Sequence, residues 1–164
     1  MKFESETSYI GPLDDVIEVL VSRELLLRRA ERLGHQGEIT YSRSSQTHTW
    51  SITVDNAQLP SIAKSVISHP LTVEVCGTTR PIGDGAAIDY HVQVHGAPVR
   101  AHIDLIAANA GATTPAKITG EISVNIPLFG KRIEKTAISH IAKFIAEDTD
   151  LVNTELAQRR AASN

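Results

Sequence analysis

Two histidines and two aspartates in the middle of the chain have the residue types and the spacing of a possible metal site. If Gly96-Ala97 forms a two-residue hairpin loop, His91 lies opposite His102 on the neighbouring strand. Asp89 and Asp104 then face each other one pair further along the same side of the hairpin. Histidine nitrogens and carboxylate oxygens are common ligands of Zn²⁺ and Ni²⁺. The same register turns these four side chains away from the apolar face, so we interpret them as a solvated polar surface and predict no metal site.

Two titratable residues, His140 and Asp148, lie close to the apolar side of the last predicted helix. A carboxylate that faces an apolar cavity has a raised pKa and can exchange protons with a bound substrate. Both residues stand at the margin of the apolar stripe, so the pattern favours solvent-exposed positions for them. The histidines without a partner at metal-ligand spacing, His35, His48 and His69, are interpreted as surface or loop residues.

The single cysteine, Cys76, follows an alternating strand and has no base or cationic neighbour in the local sequence. A nucleophilic thiol needs both of these, so we interpret Cys76 as a small, half-buried residue. One cysteine excludes an internal disulfide and favours a reducing, cytoplasmic location. Gly83-Asp84-Gly85 lacks the lysine and the strand–helix context of a phosphate-binding loop and predicts a turn. The sequence therefore predicts no catalytic residue, no cofactor and no metal.

The composition limits the classes of protein that the chain can belong to. Its 164 residues suit one domain, which we place at residues 1–160 with a frayed tail at 161–164. The apolar fraction is 41% and the aromatic fraction only 4%, so aliphatic side chains must fill the core. A net charge of -3 without a basic block argues against a nucleic-acid partner. We find neither a signal peptide nor an apolar run of about 20 residues that could span a bilayer.

Hydrophobic periodicity predicts a strand, two helices, six further strands and a long terminal helix, with a short helix between the third and fourth strands. The predicted strands are 2–10, 37–43, 47–55, 71–78, 86–95, 98–107 and 115–126, and the predicted helices are 12–21, 23–33, 61–67 and 131–158. The pair of strands around Gly96-Ala97 is the most informative, because one register places every apolar residue at positions 88–94 and 99–105 on one face. Tyr90 then pairs with Ile103, and Val92 with Ala101, whereas a slip of one residue would mix the two faces.

Four aromatic side chains are predicted on the inner faces of these strands, namely Tyr9, Tyr41, Trp50 and Tyr90. A ring with one polar tip can fill the core, with its polar atom on a backbone group, or it can orient a ligand in an apolar pocket. The scarcity of aromatic residues favours core packing.

The order of elements and two local motifs resemble a known family. Leu59-Pro60, followed by a short helix and the strand Leu71-Thr-Val-Glu-Val75, is one motif, and Gly120-Glu-Ile-Ser-Val-Asn-Ile-Pro-Leu-Phe-Gly-Lys-Arg-Ile-Glu134 is the other. The chain resembles the START/Bet v 1-like (SRPBCC, polyketide cyclase-like) superfamily, and within it an actinobacterial family of domains of unknown function, family 2505. An aromatic residue that usually follows the strand in that family is replaced here by Cys76-Gly77, so no role of that aromatic is implied for this chain.

The resemblance implies an α+β helix-grip fold, in which a curved seven-stranded antiparallel sheet surrounds a long C-terminal helix and two short helices close one end. A strongly curved sheet cannot lie flat against a straight helix, so an apolar space is expected between them. We expect this space to bind a small hydrophobic or amphipathic ligand, lipid-like or polyketide-like. A cyclase- or dehydratase-like enzyme that uses the same cavity, with His140 and Asp148 as its titratable groups, and a protein-interaction domain are the alternatives. The expected ligand-binding residues are Tyr90, Val92, Ile103, Leu105, Ile122, Val124, Ile133, Ala137, Ile141 and Ile145.

Overall fold

The computed structural model describes residues 1–35, 37–55, 57, 59, 61–67 and 69–164, and Pro60 of the predicted Leu59-Pro60 motif lies outside them. The described residues form seven strands and four helices. In chain order these are β1 Lys2–Tyr9, α1 Leu13–Leu20, α2 Arg23–Arg32, β2 Ile39–Ser44, β3 Thr47–Val54, α3 Ser61–Lys64, β4 Leu71–Ile82, β5 Gly85–His95, β6 Val99–Ala107, β7 Thr114–Val124 and α4 Gly130–Ala162.

The strands form one antiparallel sheet in the order β1-β7-β6-β5-β4-β3-β2. The hairpin register predicted from the residue types is confirmed, since Tyr90 pairs with Ile103 and His91 pairs with His102. The sheet is curved, and α4 packs against β1 and β7, while α1 and α2 pack against α4. This arrangement is the predicted α+β helix-grip fold.

The end of the molecule that contains α1 and α2 is closely packed. Val16 and Val19 of α1, Leu25 of α2 and Val152 of α4 are fully shielded from solvent. Ser22 joins the two short helices as the N-cap of α2, where its hydroxyl accepts a hydrogen bond from the backbone N–H of Leu25 at 3.2 Å. Because this end is filled, internal space has to lie further toward the N-terminal half of α4.

The long helix α4 has 33 residues and buries one side of its C-terminal half. Ile145, Thr149, Val152 and Leu156 are buried and follow one another at helical spacing, so they form one side that packs on the sheet and the short helices. None of the helices in the described part of the chain is both long enough and apolar enough to cross a membrane.

Two boundaries differ from the prediction, at the end of β4 and at the end of α4. Pro81, predicted in a turn, lies in β4, which continues to Ile82. The neighbouring strand β3 pairs with β4 only as far as Thr78, and a strand with one neighbour tolerates proline. α4 reaches Ala162, past residue 158, where the predicted helix ends. In its last turns, the Arg160 guanidinium donates a hydrogen bond to the carbonyl oxygen of Ile10 at 2.9 Å.

Candidate functional site

A cavity of about 280 Å³ lies between the inner face of the sheet and the helices α2 and α4. Most of its wall is apolar, with side chains from β1, β3, β4, β5, β6 and β7, and Arg29, Arg32 and Asp148 are its charged members. The volume is close to the lower end of the range for small-molecule pockets, roughly 300–1,000 Å³. The apolar wall and the charged group together make this cavity the candidate site.

Six of the ten residues that we expected to bind a ligand line this cavity: Tyr90, Val92, Ile103, Leu105, Ile141 and Ile145. The other four, Ile122, Val124, Ile133 and Ala137, are not part of its lining. The first turns of α4 lie directly against the end of β7, where the backbone N–H of Val124 donates a hydrogen bond to Glu134 Oε1 at 2.9 Å. A Cβ atom added to Gly130 would overlap the Val124 carbonyl oxygen. This close contact leaves no cavity between the two elements at that end.

Two glycines on the inner face create room for neighbouring rings, and sequence reasoning missed their role. Gly77 of β4 pairs with His48 of β3, and a Cβ atom at position 77 would overlap the His48 ring. Gly120 of β7 pairs with Phe3 of β1, and a Cβ atom there would lie 2.5 Å from Phe3 Cζ. Glycine weakens a strand interior unless something approaches the backbone closely. The signal in the sequence for this role was a glycine at an inward-facing position of an alternating strand.

Asp148 does not lie in water, as the sequence had suggested, but in the cavity wall beside two arginines of α2. Its oxygens accept two hydrogen bonds from Arg29, at 2.8 Å and 2.7 Å, and the Arg32 Nη2 nitrogen is 3.8 Å from Asp148 Oδ1. The side chains of Asp148 and Arg29 are only 15% and 17% exposed. Burial alone would raise the pKa of Asp148, but the charge and hydrogen bonds of Arg29 and the charge of Arg32 hold it below its usual range. The raised pKa that an acid–base role of Asp148 would need is therefore contradicted.

Several polar atoms at the cavity are buried without a hydrogen-bond partner among the described residues. They include both terminal nitrogens of the Arg32 guanidinium and the hydroxyl of Tyr90. The guanidinium of Arg32 lies 4.8 Å from the centre of the Phe144 ring, which holds it by a cation–π contact. Burial raises the pKa of Tyr90 to about 12, so its hydroxyl keeps its proton and can donate a hydrogen bond.

His48 is buried, with 3% of its surface exposed, and is not the surface or loop residue that the sequence suggested. Its ring meets Tyr90 edge to face, with 5.7 Å between the ring centres. Burial lowers the pKa of His48 to about 4, and the charges of Arg29 and Arg43 act in the same direction. The imidazole is therefore neutral at pH 7.

The histidine pair predicted on the outer face lies there. His91 Nε2 and His102 Nε2 are 3.1 Å and 2.8 Å from the same oxygen of Asp89, and the two rings stack at 4.6 Å. One ligand atom from each of these three residues lies within 4.8 Å of the others. The group is exposed and lies on the opposite side of the sheet from the cavity. It can contact an ion from solvent but cannot contact a molecule inside the cavity.

Three further residues from the sequence analysis, His140, Tyr41 and Cys76, lie in an exposed, a hydrogen-bonded and a half-buried position, respectively. His140 is exposed on α4. Tyr41 donates a hydrogen bond through its hydroxyl to the Val21 carbonyl oxygen at 2.5 Å, which is the core-packing arrangement. Cys76 is a half-buried free thiol, as its sequence context suggested.

Comparison with known proteins places this geometry in a family. The family model described as "Protein of unknown function (DUF2505)" matches residues 4–156. No curated protein matches the chain in sequence.

Solved structures that share the fold have little sequence in common with the chain. The Zhui aromatase/cyclase from Streptomyces sp. R1128 has a TM-score of 0.68 at 15% identity and covers 100% of this chain and 98% of its own. Norcoclaurine synthase from Thalictrum flavum has a TM-score of 0.60 at 13% identity, covering 98% and 96%. A START superfamily protein from Mycobacterium smegmatis has a TM-score of 0.59 at 9% identity, covering 96% and 97%. The chain belongs to family DUF2505, and its fold is that of the START/Bet v 1-like (SRPBCC) proteins.

Proposed function

We propose that the chain binds a small hydrophobic or amphipathic ligand, lipid-like or polyketide-like, in the cavity between the sheet and α4. The observation that carries this proposal is an internal space of about 280 Å³ with an apolar wall and one charged end. Water occupies roughly 30 Å³ per molecule in the liquid, so the space holds about nine groups of that size. A ligand body of about nine heavy atoms fits this volume.

The apolar wall of the cavity favours an apolar occupant. A ligand that covers this wall removes apolar surface from water, which is worth roughly 25 cal/mol per Å². The wall offers water few hydrogen-bond partners, so an apolar ligand body suits the space better than water does.

An entrance to the cavity is available beside α4. Phe144 is 44% exposed although its side chain also lines the cavity. Arg32 is next to it and is 21% exposed. These two side chains are joined by a cation–π contact and not by main-chain hydrogen bonds, so their rotation can admit a ligand without unfolding an element.

The cyclase or dehydratase alternative has weaker support in the site. It needs a group in the cavity that gains and loses a proton near neutral pH. The pKa of Asp148 is held low and that of Tyr90 is raised to about 12, while His140 is exposed. We therefore favour binding without chemistry, and we propose a cytoplasmic location on the basis of the single free thiol of Cys76.

Binding of octan-1-ol, a neutral molecule of about nine heavy atoms, tests the proposal. Isothermal titration calorimetry should give a single site with a negative heat-capacity change, since apolar surface is buried. Native mass spectrometry of gently purified protein should detect the same stoichiometry.

Two substitutions on one strand form a matched pair. Ile103→Trp places extra volume in the cavity, whereas Ile106→Trp places it on the exposed outer face of β6. We expect Ile103→Trp to weaken octan-1-ol binding at least tenfold and Ile106→Trp to leave it unchanged. Failure of the unmodified protein to take up octan-1-ol, or equal affinities in the two variants, would contradict the proposal.

A further inference from the structure

We infer that the cavity selects ligands that carry a carboxylate on an apolar body, and that Arg32 holds this carboxylate. The inference rests on the proposed function, because it names the head group of the molecule that the cavity would bind. Its basis is the balance of charges and hydrogen bonds among Arg29, Arg32 and Asp148, in which two cations share one anion.

The three charged side chains of the cavity sum to one positive charge. Asp148 places both of its oxygens on Arg29, at 2.8 Å and 2.7 Å. Arg32 Nη2 is 3.8 Å from Asp148 Oδ1, which is too far for a hydrogen bond. The Asp148 carboxylate therefore lies beside two guanidinium groups, and of these two it accepts hydrogen bonds from Arg29 alone.

The guanidinium of Arg32 is held in place but lacks acceptors. Its two terminal nitrogens are buried and have no hydrogen-bond partner in the described part of the chain. The Arg32 Cζ atom lies over the Phe144 ring, 4.8 Å from its centre, so the ring holds the guanidinium without offering it an oxygen acceptor. A planar fork of N–H donors matches the two oxygens of a carboxylate. Removed from water, such a cation is stabilised most by an anion that accepts both bonds.

Tyr90, another residue of the cavity lining, also has an unpartnered donor. The hydroxyl of Tyr90 is buried without a partner among the described residues and keeps its proton. The cavity thus presents hydrogen-bond donors and positive charge without matching acceptors. An uncharged ligand would leave the charge of Arg32 uncompensated, and a cationic ligand would add to it.

The position of Arg32 also orients the ligand. Phe144, which packs against Arg32, is 44% exposed, whereas Leu105 and Ile118 are buried. The carboxylate would therefore lie near the entrance and the apolar body among the buried side chains. This order, with the charged head near water and the body inside, suits an amphipathic acid.

A series of ligands with one chain and three head groups tests the inference. Octanoate, octanamide and octylamine differ mainly in charge, and calorimetry at pH 7 measures the affinity of each. We expect octanoate to bind at least tenfold more tightly than octanamide, and octylamine to bind most weakly. Naphthalene-1-carboxylate against its amide repeats the comparison with an aromatic body and separates a lipid-like from a polyketide-like preference.

Variants of two arginines on α2 assign the effect to Arg32. Arg32→Met should remove the preference for octanoate over octanamide. Arg32→Lys, which keeps the charge but not the fork, should retain part of the preference. Arg23→Met, on the exposed start of the same helix, should retain all of it.

The outcomes separate this inference from the proposed function. Equal affinities for octanoate and octanamide in the unmodified protein, or a preference that survives Arg32→Met, would overturn the inference even if octan-1-ol binds. Absence of octan-1-ol binding would instead count against the cavity as a binding site. The ligand series in the unmodified protein remains decisive if an Arg32 variant fails to fold.

Discussion

Acidification from pH 7 to pH 4.5 should destabilise the fold through His48, and the magnitude follows from its pKa. The pKa is about 4 in the folded protein, because burial and then the charges of Arg29 and Arg43 lower it from 6.5. The unfolded chain therefore binds the proton more readily than the folded one. The stabilising contribution is complete above pH 6.5 and is lost progressively as the pH falls toward 4.

Each pH unit within this interval changes the free energy of unfolding by at most about 1.4 kcal/mol, which limits the whole loss to about 3 kcal/mol. At pH 4.5, which is still above the folded pKa of about 4, this loss is incomplete, so we expect about 2 kcal/mol. Asp148 contributes in a different range. Its folded pKa is lowered, so its contribution is present above the ordinary carboxyl pKa and is lost only at lower pH.

Urea unfolding followed by the fluorescence of Trp50, the single tryptophan, provides the assay. The comparison is between the unmodified protein and His48→Phe, at pH 7, 5.5 and 4.5. Phenylalanine keeps a ring above Gly77 and an edge contact with Tyr90 but does not titrate. The difference in unfolding free energy between the two proteins should change by about 2 kcal/mol across this range. The same pH dependence of the unfolding free energy in the unmodified protein, in His48→Phe and in a second non-titrating variant, His48→Gln, would refute a buried neutral imidazole.

Three further perturbations have expected outcomes. Asp148→Asn should destabilise the protein by about 3 kcal/mol in urea unfolding, because Arg29 loses its ionic partner; a loss below about 1 kcal/mol would contradict a tight pair. Gly77→Ala should destabilise it by about 2 kcal/mol through overlap with the His48 ring, and His48→Ala in that background should restore most of the loss. If the effects of Gly77→Ala and His48→Ala on the unfolding free energy are additive, the close contact between position 77 and the His48 ring is contradicted. Addition of Zn²⁺ or of a chelator should leave octan-1-ol affinity unchanged, because His91 and its neighbours lie on the other face of the sheet; a metal-dependent affinity would contradict that separation.

The parts of the fold that were predictable depend on patterns within short stretches of sequence. The register of β5 and β6 followed from alternating residue types on both sides of Gly96-Ala97, because a slip would have exposed the apolar residues at positions 88–94 and 99–105. Ile141 and Ile145 could be placed on the cavity side of α4 from their helical spacing.

The charged end of the cavity was not predictable, because its partners are far apart in the chain. Asp148 and Arg29 are separated by 119 residues, and each alone looks like a solvated charge on a helix. His48 is buried only because Gly77, on the next strand, has no side chain in its way. The overestimated lining at Ile133 and Ala137 has a similar origin, since the contact between Glu134 and Val124 closes that end of the space.

Methyl NMR can locate a ligand within the cavity most directly. In protein labelled at isoleucine methyl groups and titrated with octan-1-ol, we expect intermolecular nuclear Overhauser effects to Ile103, Ile118, Ile141 and Ile145, which line the cavity. The exposed Ile106 and Ile10 should show none. Contacts confined to those exposed methyl groups, or no contacts at saturating octan-1-ol, would contradict an internal binding site.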